Sequence, residues 1–166
     1  NISEDYGLNW QEETLISDTQ YLNAYQDFEV DINGNLHLVY YNYAANNHLQ
    51  DIRYRFFEVG DIIYFNPSIL LGIVTDDMEP CDCCQPDLEI NQNGDVYVIY
   101  RNNLQNIRDA YLAVKRYSDN AFSEYYQVSD TQDYMGFCPS SGPSLVINNE
   151  EIIISYTSYN DENAYI

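Results

Sequence analysis

The chain has 166 residues and a formal net charge of −21, from 6 basic against 27 acidic side chains. A surface this negative repels phosphate backbones and anionic headgroups, which disfavours nucleic acid and anionic membrane surfaces as partners. No run approaches the roughly 18 apolar residues of a membrane span, and no basic segment leading into an apolar one opens the chain. The composition is 45% hydrophobic with 18 tyrosines, and helical periodicity is nearly absent; this is the profile of an all-β chain of short strands. Four cysteines in such a chain suit an oxidising compartment, so a secreted or cell-surface location is expected.

The first element is a polar turn, Ser3-Glu4-Asp5-Tyr6-Gly7-Leu8-Asn9-Trp10. Hydroxyl and carboxylate oxygens of Ser3 and Asp5 can tie down its amides, Gly7 supplies an unusual backbone angle, and Trp10 is expected to plug a gap between sheets. From Gln26 to Val30 and Leu36 to Tyr40, two strand-like runs flank Asn33-Gly34, the strongest short hairpin signal, with positive φ expected at both central residues. The next repeat is the fullest: strand one at Asp87 to Ile90, a turn at Asn93-Gly94, and strand two at Val96 to Tyr100. A polar loop from Arg101 to Asn106 follows, then strand three from Asp109 to Arg116 and strand four from Ser123 to Val128. The Asp31 and Asn91 turns look superficially like calcium loops, but no glutamate follows at the spacing that chemistry needs, so they read as hairpins.

These elements recur. Gln26–Tyr40 reappears as Pro86–Tyr100, 60 residues on, and again from Pro143 to Tyr156, 57 residues further. Leu49–Arg53 matches Leu104–Arg108, Ile16–Gln20 matches Val128–Gln132, and Phe122 falls 112 residues after Trp10. A four-stranded antiparallel unit repeated about every 58 residues is the pattern of a β-propeller blade. The expected organisation is one partial propeller over 1–166: the end of one blade (1–25), two full repeats (26–85 and 86–142) and the start of another (143–166). About three blades are present where a ring needs about 4 to 8, so further blades are expected outside this stretch; six, or about 350 residues, is the favoured total.

The Ser3–Trp10 turn resembles the Asp box, Ser-x-Asp-x-Gly-x-Thr-Trp, of sialidase-like or BNR-repeat propellers, with Asn9 in place of threonine. The turns at Val59–Tyr64 and Lys115–Phe122 are degenerate versions. From Cys81 to Tyr156 the chain resembles a subgroup of secreted bacterial members of that group, through Cys81-Asp82-Cys83-Cys84-Gln85-Pro86, Tyr100-Arg101-Asn102, Arg108-Asp109 and Cys138-Pro139-Ser140-Ser141-Gly142-Pro143. The resemblance implies a fold, with Ser3, Asp5, Gly7 and Trp10 structural; an activity does not follow from it.

In such a blade the loops joining strand four to the next strand one, and strand two to strand three, share one rim. All four cysteines, together with Arg101, Asn102, Asn103, Arg108 and Asp109, belong to such loops, with Arg53 equivalent to Arg108 and Ser140 and Ser141 beside Cys138. For the cysteines, two disulfides joining adjacent blades are expected, with Cys138 paired to one member of the triplet. A thiolate site for copper or zinc, or one disulfide with two free thiols, are the alternatives; no cofactor is otherwise expected. His37 and His48 complete no evident metal site. Arg53, Arg101 and Arg108 suit either a bidentate clamp on a substrate carboxylate, as sialidases use, or local pairing with Asp51 and Asp109. Three functions follow: binding of a glycan or protein ligand at this rim, exo-acting glycoside hydrolysis with Asp109 or Asp82 as acid, or thiolate metal and redox chemistry. A cell-surface export or uptake complex is a further expected partner.

Overall fold

The computed structural model describes residues 1–13, 15–16, 22–43, 50–58, 69–71, 79–129, 132–149, 151–159 and 164–165. Among them there is no helix, and all regular structure is antiparallel β. One four-stranded sheet runs in order through β1 (Leu22–Val30), β2 (Leu36–Tyr43), β3 (Gln50–Phe57) and β4 (Ile69–Leu71). A second repeats that order with β5 (Asp87–Ile90), β6 (Val96–Arg101), β7 (Ala110–Lys115) and β8 (Glu124–Gln127). The hairpin of β9 (Ser144–Asn148) and β10 (Glu151–Ser155) begins a third, followed by the short pair β11 (Ser158–Tyr159) and β12 (Ala164–Tyr165). The strand bounds expected for the second sheet hold to within a residue or two. In the first sheet, β1 starts four residues earlier than the repeat suggests, because a bulge between Ala24 and Asp27, with Tyr25 at φ 51°, absorbs the extra length.

The hairpin turns differ from the expectation in one respect: Gly34 and Gly94 take positive φ (86° and 83°), while the asparagines before them do not. Each turn is a type I bend closed by a left-handed glycine. The residue opening it does the tying. Asp31 Oδ1 accepts from the Asn33 and Asn35 amides, as Asn91 Oδ1 does from Asn93 and Asp95. Gly94 is doubly constrained, since a Cβ there would meet the Tyr117 ring.

The Ser3–Trp10 segment forms a turn. Ser3 Oγ donates to Asp5 Oδ1 (2.9 Å) and accepts from Gly7 N (2.7 Å), and Gly7 sits at φ 86°. Asn9, in place of threonine, adds an amide bond to Asp5 Oδ2. Trp10 is a correction. It is 62% exposed, lying over its own turn near Gly7, because none of the strands described here packs on it. Phe122, two periods on, is buried and meets Tyr54 edge-on at 5.5 Å. The intervening degenerate turn at Val59–Tyr64 lies outside the described residues, as do His48 and parts of the Ile16–Gln20 and Val128–Gln132 repeats.

The second sheet is the centre of the molecule. Val39, Tyr41, Ile52 and Tyr54 of the first sheet pack on Leu88, Val96, Val98, Tyr100 and Ala113. The opposite face, Tyr97, Ile99, Leu112 and Val114, packs on Leu145, Ile147 and Ile154 of the β9–β10 hairpin. Every residue of β6 is buried, so this strand reads as a continuous apolar run instead of an alternation.

The first strands of the three hairpins, β1, β5 and β9, are neighbours. Asp27 Oδ2 accepts from Leu88 N at 2.9 Å, and Asp87 Oδ2 accepts from Leu145 N and Ser144 Oγ, both at 2.6 Å. One carboxylate per repeat thus grips the backbone of the next. Burial, and then the neighbouring Asp87, push the Asp27 carboxyl up to about 6. An unfolded aspartate releases its proton near 4, so between about pH 4 and 6 the folded chain holds a proton the unfolded chain has lost. The contribution of Asp27 to stability therefore falls as pH rises through that window. Denaturant unfolding at pH 4, 5 and 6 should show this slope in the native chain and lose it in Asp27→Asn. Phe122→Ala, which empties the contact between the sheets, should cost about 3 to 5 kcal/mol in the same measurement.

Candidate functional site

The loop before β5 folds back against the end of β6: Pro80 bridges Asn102, Cys81 N donates to Arg101 O (2.8 Å), and Glu79 N donates to Asn102 Oδ1 (2.6 Å). A tight turn, Cys84 N to Cys81 O, then brings the cysteine triplet together. The corresponding loop before β9 lies directly on it. At Gly142 a Cβ would collide with the Gln85 carbonyl, which is why the Cys-Pro-x-x-Gly-Pro stretch needs glycine there.

Cys83 and Cys138 form a disulfide between these loops, with Cα atoms 6.3 Å apart. Cys81 and Cys84 are free thiols and buried, which corrects the expectation of two disulfides. Their adjacency within one turn and the single partner on the facing loop leave only one bridge across the gap. The Sγ of Cys81 lies 3.3 Å from that of Cys83 and 3.4 Å from that of Cys84. Cys81, Cys83 and Cys84 are close enough together for a soft metal. With Cys83 in a disulfide, however, only two of them remain thiols, so the residues fit copper or zinc only after reduction.

The two loop arginines lie beneath this cluster, 1% and 6% exposed. Arg101 donates to three backbone carbonyls: Nη1 to Arg108 O (2.7 Å), Nη2 to Thr157 O (2.8 Å) and Nε to Ser141 O (3.2 Å). Arg108 donates from Nε to Met135 O (3.1 Å) and from Nη1 to Cys81 Sγ (2.8 Å). The Cys84 thiol, the Cys83 amide and the Arg108 charge together draw the Cys81 thiol down to about 6, against burial and the exposed Asp82 carboxylate. Cys84, buried beside that charge, is pushed up and keeps its proton. The direction of both shifts, and the Arg108 guanidinium at 2.8 Å, favour the charged form on Cys81 over Cys84.

Arg53 is not part of this assembly: its fork closes on Asp51 in the first sheet, at 2.8 and 2.7 Å. Of the two expectations for the arginines, local pairing holds for Arg53 with Asp51, whereas the donors shown for Arg101 and Arg108 go neither to Asp109 nor to an open clamp.

A recess of about 360 Å³ is lined by Asn102, Gln105, Asp109, Tyr111, Gln127 and Gln132 with Leu104 and Ile107. Asp109 is buried and accepts from Ser129 Oγ (2.9 Å) and Gln127 Nε2 (3.1 Å), and Gln127 Oε1 accepts from the Tyr111 hydroxyl (3.2 Å). Asn103 faces Glu79 through its amide, Ser141 bonds Thr157, and exposed Ser140 lies 3.4 Å from Cys138 Sγ. Sequence reading missed Tyr111, Gln127 and the carbonyls of Met135 and Thr157. The β7–β8 register, which sets Tyr111 opposite Gln127, was the signal for the first two. Backbone acceptors leave no sequence signal at all.

No protein-family model, curated protein or solved structure matches this chain.

Arg101→Ala leaves three carbonyls unpaired at a loop junction and should cost about 3 kcal/mol, roughly 6 to 12 °C in Tm. Thiol titration in denaturant should count two thiols per chain without reductant and four after reduction, from the single disulfide and two free cysteines.

Proposed function

We propose that this chain is part of a secreted or cell-surface sialidase-like β-propeller that binds a neutral glycan at the rim recess, without hydrolysing it. The propeller reading draws on two consecutive four-stranded meanders whose first strands lie side by side and are linked by Asp27 and Asp87 at one repeat's spacing. The disulfide is consistent with an oxidising location, and no helix among the described residues is long and apolar enough to cross a membrane.

The observation that carries the ligand class is the lining of the recess. Asn102, Gln105, Gln127 and Gln132 line it together with Tyr111, in a volume within the roughly 300 to 1,000 Å³ range of small-molecule sites. Amides supply both donors and acceptors to hydroxyls, and an aromatic face packs on the apolar side of a sugar ring. The charge favours a neutral sugar: a net −21 repels a sialic acid, and Arg101 and Arg108 are committed inward. Hydrolysis of a sialoside would need a carboxylate clamp, and Arg101 and Arg108 direct their donors to carbonyls and sulfur instead.

On a glycan array the protein should retain neutral oligosaccharides and ignore sialylated ones, and Gln127→Ala should weaken that retention. Turnover of a fluorogenic sialoside by the native chain would reverse the reading in favour of the hydrolase.

A further inference from the structure

The cysteine cluster does more than fasten two loops, and what it does is independent of the recess. A buried sulfur held by a guanidinium sits 3.3 Å from one sulfur of an existing disulfide, inside the roughly 3 to 3.5 Å separation of a near-attack arrangement. We propose that Cys81, Cys83 and Cys138 form a thiol–disulfide exchange centre that hands a reactive thiolate to the surface. The Cys81 thiolate attacks Cys83 Sγ; the Cys81–Cys83 bond forms as the Cys83–Cys138 bond breaks, and the electron pair leaves on Cys138. The count of disulfides and of electrons is unchanged, so the step needs no oxidant or reductant.

Each neighbour has a part in this. Arg108, anchored by Met135 O, fixes the nucleophile and balances its charge, and Cys84, its sulfur 3.4 Å from that of Cys81, does not enter the step. The leaving sulfur belongs to an exposed residue, with the Ser140 hydroxyl 3.4 Å away to solvate it. Thiolate is the attacking species in such exchanges, and buried sulfur is delivered outward only through a relay of this kind. The substrate class is an accessible disulfide of a small thiol or a protein: the Cys138 thiolate attacks one of its sulfurs, forms a mixed disulfide and expels the other as thiolate.

The full chain, purified without reductant, would be treated with iodoacetamide at pH 7 and mapped by mass spectrometry of unreduced digests. The expected product carries label on Cys138 and a Cys81–Cys83 disulfide. Cys81→Ser should lower Cys138 labelling by about tenfold or more, while Cys84→Ser, which retains a hydroxyl donor, should keep it. An intact Cys83–Cys138 bond with label on Cys81 or nowhere would overturn the proposal. So would labelling that survives in Cys81→Ser and is lost in Cys84→Ser, or a purified protein with four thiols and a stoichiometric copper or zinc ion. The native-chain map decides the matter even if a variant fails to fold.

Discussion

A guanidinium that has lost its water must be surrounded by oxygen, and the Arg101 side chain is where this chain meets that requirement. It stands at the end of the fully buried strand β6, and its three carbonyl partners come from three separate segments: the loop before β7, the Cys138 loop, and the stretch after β10. No amide of a regular ladder could join them, because they do not run alongside one another. One charged side chain supplies enough donors, in a rigid planar fork, to set all three in register. The position of Arg108 follows, since its own carbonyl is one of the acceptors, and with Arg108 comes the sulfur it touches.

This explains a feature that composition alone makes odd. In a chain with 6 basic residues against 27 acidic ones, the buried Arg101 and Arg108 turn their guanidiniums toward main-chain carbonyls and a sulfur. Carbonyl oxygens and the Cys81 sulfur face these guanidiniums in place of carboxylates. The acidic excess is left to the exterior and to the first strands, where it serves solubility and the links between sheets.

Much of the architecture was legible from local pattern. Asn-Gly between alternating runs placed the hairpins, and the strands of the second sheet fell within a residue or two of expectation, because turn chemistry and periodicity are short-range properties. What escaped had long-range causes. The fate of Trp10 depends on what packs over it, not on its own turn. The direction of Arg101 and Arg108 depends on carbonyls 7 to 56 residues away in the chain, and acceptors of that kind are identical at every position. The grouping of the four cysteines could be read from the repeat, but which of them remained thiols could not, since that is settled by distances of a few ångströms between two loops.

The grip of Asp27 and Asp87 on the following hairpin is made to one main-chain amide each, with the Ser144 hydroxyl as an added side-chain contact to Asp87. A carboxylate that recognises an N–H is indifferent to which side chain that residue bears. Neighbouring modules can therefore accumulate substitutions on their outer strands and loops while the inner seam keeps the same geometry. A molecule joined in this way evolves new surfaces cheaply, because assembly and recognition are written in different atoms.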